Sequence, residues 1–187
     1  MAASGKALRF VGVSGSLRKA STNTGLLRYA QTALAKEGVS LEMHDISGLP
    51  MFNQDLEPNA PDAVREFKEA VKSADGVIFA CPEYNYGLSG ALKNALDWGS
   101  RTPNCWDGKP AAVMGAGGGF GTKNAQYHLR GVCVFLNVHL MNKPEVCIKR
   151  FEKKGIFSDD GDLIEEEYQK RVDQLCASFI QFAKRSQ

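Results

Sequence analysis

The sequence has no dense run of lysine or arginine, Lys153-Lys154 being only a pair, and its net charge is +2. That combination gives no reason to expect a nucleic-acid partner. No apolar run approaches the roughly 20 residues that cross a bilayer, so no membrane association is expected. Residues 1–6 (M-A-A-S-G-K) hold no apolar signal core, and the expected location is cytoplasmic. Cysteine is sparse and scattered: Cys81, Cys105, Cys133, Cys147 and Cys176 form no C-x-x-C pair. An odd, widely spaced set argues against a disulfide framework and a clustered zinc site. Cys81 and Cys133 lie in apolar runs and read as packed thiols. His44, His128 and His139 show no metal-ligand spacing, so no metal site is expected.

What is there is ordinary in bulk. A chain of 187 residues with 43% apolar and 24% charged residues reads as one globular domain, residues 1–187. Residues 8–14 (L-R-F-V-G-V-S) read as a short buried strand, and the apolar positions Leu26, Leu27, Ala30, Ala33 and Leu34 have helical spacing. Residues 39–46 alternate as a strand with one more exposed side, and a Gly/Pro/Asn/Asp-rich loop follows at 47–61. Residues 63–71 place Ala63, Val64, Phe67, Ala70 and Val71 on one helical face. Residues 75–81 (D-G-V-I-F-A-C) read as a strand buried on both sides. A helix at 88–98, a strand at 109–114 and a helix at 122–136 follow. The chain then has a strand near 138–141, a candidate second through Val146-Cys147-Ile148, and a last helix at about 163–183. This alternation predicts an α/β fold: a doubly wound, flavodoxin-like, five-stranded parallel sheet of order 2-1-3-4-5 with helices on both faces. Ligands of such sheets bind at the carboxyl ends of the strands, at the switch point between strands 1 and 3.

Three unusual loops should converge there. The first, residues 15–24 (G-S-L-R-K-A-S-T-N-T), joins the first strand to its helix. Free N–H groups at a helix start favour an anion, the hydroxyls add donors, and Arg18 adds a fork that matches phosphate. The second is Pro82-Glu83-Tyr84-Asn85-Tyr86-Gly87, and the third is Gly115-Ala116-Gly117-Gly118-Gly119-Phe120-Gly121-Thr122. Aromatic surface, amide donors and close backbone approach are what a flat heterocycle requires. Read singly, each loop has a plainer account: a capped helix start, a turn, a mobile glycine tract. Competing fingerprints fail by letter. Phe120 stands where G-x-G-x-x-G needs glycine, Gly121-Thr122-Lys123-Asn124 does not complete a P-loop, and there is no G-x-S-x-G elbow.

Three motifs carry a resemblance: G-S-L-R-K-x-S-x-N at 15–23, P-E-Y-N at 82–85 with G-x-L-K-N-A-L-D-W at 90–98, and G-x-x-G-T-x-x-A-Q-Y-H-L-R at 118–130. With these the chain resembles the NADPH-dependent FMN reductase family, which includes bacterial chromate/quinone reductases and plant NADPH:quinone oxidoreductases. The resemblance implies that Ser16, Arg18, Ser21, Asn23 and the Thr24 backbone hold the FMN phosphate. It implies that Pro82, Glu83, Tyr84 and Asn85 line the isoalloxazine and ribityl, and that Gly117, Gly118 and Gly119 close over the other edge. The implied activity is ping-pong transfer of two electrons from NADPH (or NADH) through FMN to a quinone-like acceptor, without a protein general acid. A homodimer or homotetramer is implied as well. One departure is Lys123-Asn124, where the family often has a small residue and then a basic one; this weakens the case for the tetramer. Arg101, after Trp98-Gly99-Ser100, is the candidate contact for the NADPH phosphate or an anionic acceptor, against a plain solvated charge. Tyr127 and His128 read as packing or interface groups. The competing function is a flavodoxin-type electron carrier with no NADPH turnover of its own, which the positive net charge and the open tyrosine–glycine loops disfavour.

Overall fold

In the computed structural model, which describes residues 7–186, β1 (Arg9–Ser14) lies between β2 (Ser40–His44) and β3 (Gly76–Ala80), all parallel. β3 pairs in turn with β6 (Pro110–Gly117). Between them in the chain, β4 (Glu83–Tyr84) and β5 (Gly87–Leu88) form a separate two-residue hairpin that the sequence pattern did not announce. The fifth position of the sheet is filled by two short segments rather than one strand. β7 (His139–Leu140) pairs with the start of β6, at Pro110 and Ala111, and β8 (Val146–Lys149) pairs with its end, from Met114 to Gly117. The order is therefore β2-β1-β3-β6 followed by β7 and β8, the expected five-position arrangement once the hairpin is set aside, with the fifth position broken at residues 141–145. The short N-terminal reading of residues 1–6 lies outside the described residues.

Helices cover both faces. α1 (Thr22–Lys36) and α5 (Glu166–Arg185) lie on one side, and α2 (Asp62–Ser73), α3 (Gly90–Ser100) and α4 (Lys123–Leu136) on the other. Strand alternation divides the core accordingly. Phe10 and Ile78 pack with Leu26 and Phe179, while Val11 and Phe79 pack with Phe67, Trp98 and Trp106. Each central strand is buried on both faces, which is why its sequence is continuously apolar instead of alternating. The 47–61 loop carries a 3-10 turn (Gln54–Asn59) and is gripped by α3: the Asn94 amide and Trp98 Nε1 donate to the Pro50 carbonyl at 2.9 and 2.8 Å. Two residues of the K-N-A-L-D-W motif thus hold a loop and not a ligand. No helix among the described residues is long and apolar enough to cross a membrane.

Candidate active site

The first loop leaves β1 in contact with the second. Gly15 N–H donates to the Ala80 carbonyl at 2.9 Å, and Ser89 Oγ donates to the Gly15 carbonyl at 2.6 Å while capping α3 through Leu92 N–H. A Cβ at Gly15 would stand 2.8 Å from Pro82 and 2.9 Å from Ser89 Oγ, so only glycine lets the two loops meet. Ser21 caps α1, its Oγ accepting from Thr24 N–H at 3.3 Å. Thr24 is thereby committed: its N–H serves the cap, and its hydroxyl meets Ser14 Oγ at 2.9 Å. The N–H groups of Thr22 and Asn23, first in the helix, have no partner among the described residues and carry the positive end of the helix dipole.

Asn23 has a second duty. Its buried side chain donates to the Ala116 carbonyl at 2.9 Å and accepts from Ala116 N–H at 3.0 Å. This reciprocal pair fastens the start of α1 to the end of β6, so what Asn23 offers a ligand is its backbone N–H.

The second loop is the β4–β5 hairpin. Asn85 and Tyr86 at its tip have φ of 51° and 61°, a conformation Asn accepts readily and Tyr rarely. The Tyr86 ring meets Phe120 of the third loop edge-on at 5.5 Å. Glu83 does not aim its carboxylate at the cleft. It accepts from Ala125 N–H and from the Asn124 amide, both at 3.1 Å, and so caps the start of α4. The Lys123-Asn124 departure therefore has a structural use, since Asn124 completes this clamp.

The third loop is held from beneath. Thr122, buried with φ of 72°, accepts at Oγ1 from the Gln126 amide at 3.0 Å, and Gln126 also donates to the Val146 carbonyl at 3.0 Å. A Cβ at Gly115 would meet Thr122 Oγ1 at 2.2 Å and the Cys81 carbonyl at 2.4 Å. Gly118 and Gly119, by contrast, face open space. Arg150 N–H donates to the Gly117 carbonyl at 2.9 Å, tying the end of β8 to this loop.

These loops enclose a 190 Å³ cleft lined by Ser16, Arg18, Ser21, Asn23, Pro82, Glu83, Tyr84, Gly117 and Gly118 among the expected residues. Thr24, Asn85 and Gly119 stand outside that lining: Thr24 behind the cap, Asn85 at the hairpin tip, Gly119 farther along its loop. Thr22, Ala116, Arg150 and Phe151 line it as well. Thr22 and Ala116 belong to the first and third loops already singled out; sequence reasoning passed over Arg150 and Phe151, although Arg150 follows the last strand directly and so falls at the same sheet edge. Arg101 is elsewhere. It caps the far end of the eleven-residue α3, about 16 Å along the helix from the second loop. There its Nε lies 2.8 Å from Glu57 Oε1 and its guanidinium sits over Phe52. The placement of Arg101 at the mouth of this cleft is therefore corrected: a residue at the C-terminal end of an antiparallel helix lies at the opposite sheet edge. Burial pushes the thiols of Cys81, Cys105, Cys133 and Cys176 up to about 12, which leaves them without thiolate character.

A profile of the NADPH-dependent FMN reductase family matches residues 8–153. The chain is 47% identical to a probable NADPH:quinone oxidoreductase of Oryza sativa, over all of this chain and 97% of that protein. It is 45% identical to an NAD(P)H-dependent FMN reductase of Pseudomonas aeruginosa, over 89% of this chain and 90% of that protein. Among solved structures, a flavoenzyme NAD(P)H:(acceptor) oxidoreductase of Paracoccus denitrificans superposes with a TM-score of 0.86 at 31% identity, covering 96% of this chain and 98% of that one. The chain belongs to the NADPH-dependent FMN reductase family.

Proposed function

We propose that this protein binds FMN in the three-loop cleft and uses it to carry two electrons from NADPH to a quinone-like acceptor, in ping-pong order, with NADH as the alternative donor. One observation supports this above the rest. Two N–H groups at the start of α1 and an exposed Arg18, all without partners among the described residues, surround one end of a cleft together with the Ser16 hydroxyl, and the other end is walled by Pro82, Tyr84 and side-chain-free glycines. The first end suits a phosphate dianion and the second a flat ring. FMN has both parts, and when bound it supplies the hydride-accepting chemistry.

The chain's own groups then bind, orient and shield. The helix dipole and Arg18 neutralise the phosphate. Glu83, Asn23 and the Thr122–Gln126 pair act one step back: they fix the loops whose backbone N–H groups would face the ring edge. Gly118 and Gly119 keep the approach free of side chains, as stacking of a nicotinamide or a quinone requires.

The assembly belongs to the same proposal, a homodimer or homotetramer. On α4, Tyr127, Val134 and Phe135 are 62%, 82% and 88% exposed, on the helix face turned from the core. Tyr84, Tyr86 and Phe120 add exposed rings on the adjoining loops. A second copy of this chain covering that face would bury an apolar stripe and wall the open side of the cleft.

The test is direct. Purified protein should show the visible absorption of a bound flavin and oxidise NADPH when a quinone is added. Colourless protein that takes up no FMN and leaves NADPH unchanged would contradict the proposal.

A further inference from the structure

Beyond the flavin cleft lies a larger one, of 440 Å³, which shares four lining residues with it: Arg18, Thr22, Arg150 and Phe151. Its outer wall is the strap that follows β8, residues 150–165, most of which lies beyond the segment matched by the family profile. The strap is firmly seated. Ile156 and Leu163 are buried in the core, and a bridge between Phe157 and Leu163 closes it into a tight hairpin. Gly161, at φ 84°, presses its carbonyl so close to Gly25 of α1 that a Cβ there would stand 1.8 Å away. Arg28 of α1 pairs with Asp162 and donates to the Asp160 carbonyl at 3.2 Å. The strap therefore has a fixed position relative to the phosphate-binding start of α1.

The lining of the cleft is rich in cations, with Arg18, Arg150, Lys153 and Lys154 against one acid. Lys153 is neutralised by Glu165 at 2.6 Å, but Lys154 and the Arg18 guanidinium have no acidic partner among the described residues. Arg150 is held instead over the Phe151 ring, 4.6 Å from its centroid, and that ring is 76% exposed. Asp159 is the one acidic side chain in the lining. With Arg18 turned to the FMN phosphate, the cleft keeps two cations without acidic partners among the described residues, Arg150 and Lys154, beside an exposed aromatic face, and it opens into the flavin cleft; that combination matches a phosphorylated nucleoside. The FMN phosphate is already provided for at the start of α1.

We propose that the strap cleft receives the 2′-phosphoadenosine end of NADPH, with Lys154 and Arg150 taking the 2′-phosphate and thereby selecting NADPH over NADH. This rests on the flavin reading above, because the nicotinamide end must reach the neighbouring cleft. Lys154 lines only the strap cleft, so it separates the two sites.

The experiment uses flavin-loaded protein and calorimetric titration with adenosine 2′,5′-bisphosphate and adenosine 5′-monophosphate. Wild-type protein should bind the bisphosphate at least about tenfold more tightly, the scale of one charge-assisted contact. Lys154→Gln should cut that preference several-fold, and adding Arg150→Gln should abolish it. The kcat/KM ratio of NADPH to NADH should fall in parallel. Equal affinity for the two probes in wild-type protein would overturn the assignment. A preference that survives in the double variant would do the same, as would loss of bisphosphate binding whenever FMN is present. Flavin absorbance on the same samples reports loading separately. Protein that never loads FMN contradicts the flavin reading, whereas protein that loads FMN but ignores the 2′-phosphate contradicts only the strap assignment.

Discussion

Arg18 stands exposed within the first loop, and no acidic side chain among the described residues claims it. A cation left free beside unsatisfied helix N–H groups is disposed to meet an anion, and its contribution is that of a charge-assisted hydrogen bond. Arg18→Ala should weaken FMN binding to the apoprotein by about 1.5–3 kcal/mol, read by fluorescence titration. Unchanged affinity would remove Arg18 from the cradle. Individual roles were only partly legible in the sequence. The positions of Arg18 and Ser16 on the cleft could be read from residue type and place in the chain. Glu83 and Asn23 could not, because an acceptor-rich or amide side chain serves a ligand or a backbone equally well in one dimension. The fold uses both on backbone, at Ala125 and Ala116. Arg101 was misjudged for want of direction: the sequence puts it after a helix but does not say which sheet edge that end reaches.

At the scale of elements, the site is a set of loops held together by close backbone approaches. The most demanding is between α1 and the strap at Gly25, where any side chain would enter the Gly161 carbonyl. Gly25→Ala should destabilise the protein by about 3 kcal/mol, the upper part of the range for overpacking, as measured by urea unfolding. Gly90→Ala is the control. An added Cβ there meets nothing within 4 Å at the first position of α3, and the change should be neutral or stabilising by up to about 1 kcal/mol. Equal stability in both variants would show that the strap does not rest on α1 as described. Element boundaries were legible where periodicity is strong, as in α2, whose Val64, Phe67 and Val71 are the buried stripe. The β4–β5 hairpin was not legible, since its turn depends on Tyr86 adopting a left-handed backbone that its residue type disfavours. Both segments of the fifth strand could be read in the sequence, but not that they share one sheet position, because only pairing with opposite ends of one long β6 reveals it.

For the molecule as a whole, strand order and the two-sided core follow from the near-continuous apolar strands, and these were plain in the sequence. The exposed stripe on α4 was legible only at Tyr127, which reads as a packing or interface group; nothing in one dimension separates Val134 and Phe135 from core-forming residues. If that face joins two copies, Phe135→Glu should shift the protein from oligomer to monomer in light scattering by placing an unpaired charge in an apolar contact, at about 2 kcal/mol or more. Wild-type protein that is monomeric at the same concentration would contradict the stripe's assignment. The central claim is narrower: the cleft recognises a flavin by its phosphate at the start of α1. Titration of apoprotein with FMN and with riboflavin tests it most directly, since the two ligands differ only in that group. At about tenfold per charge-assisted bond, FMN should bind at least about a hundredfold more tightly than riboflavin. Equal affinity for the two would contradict the account.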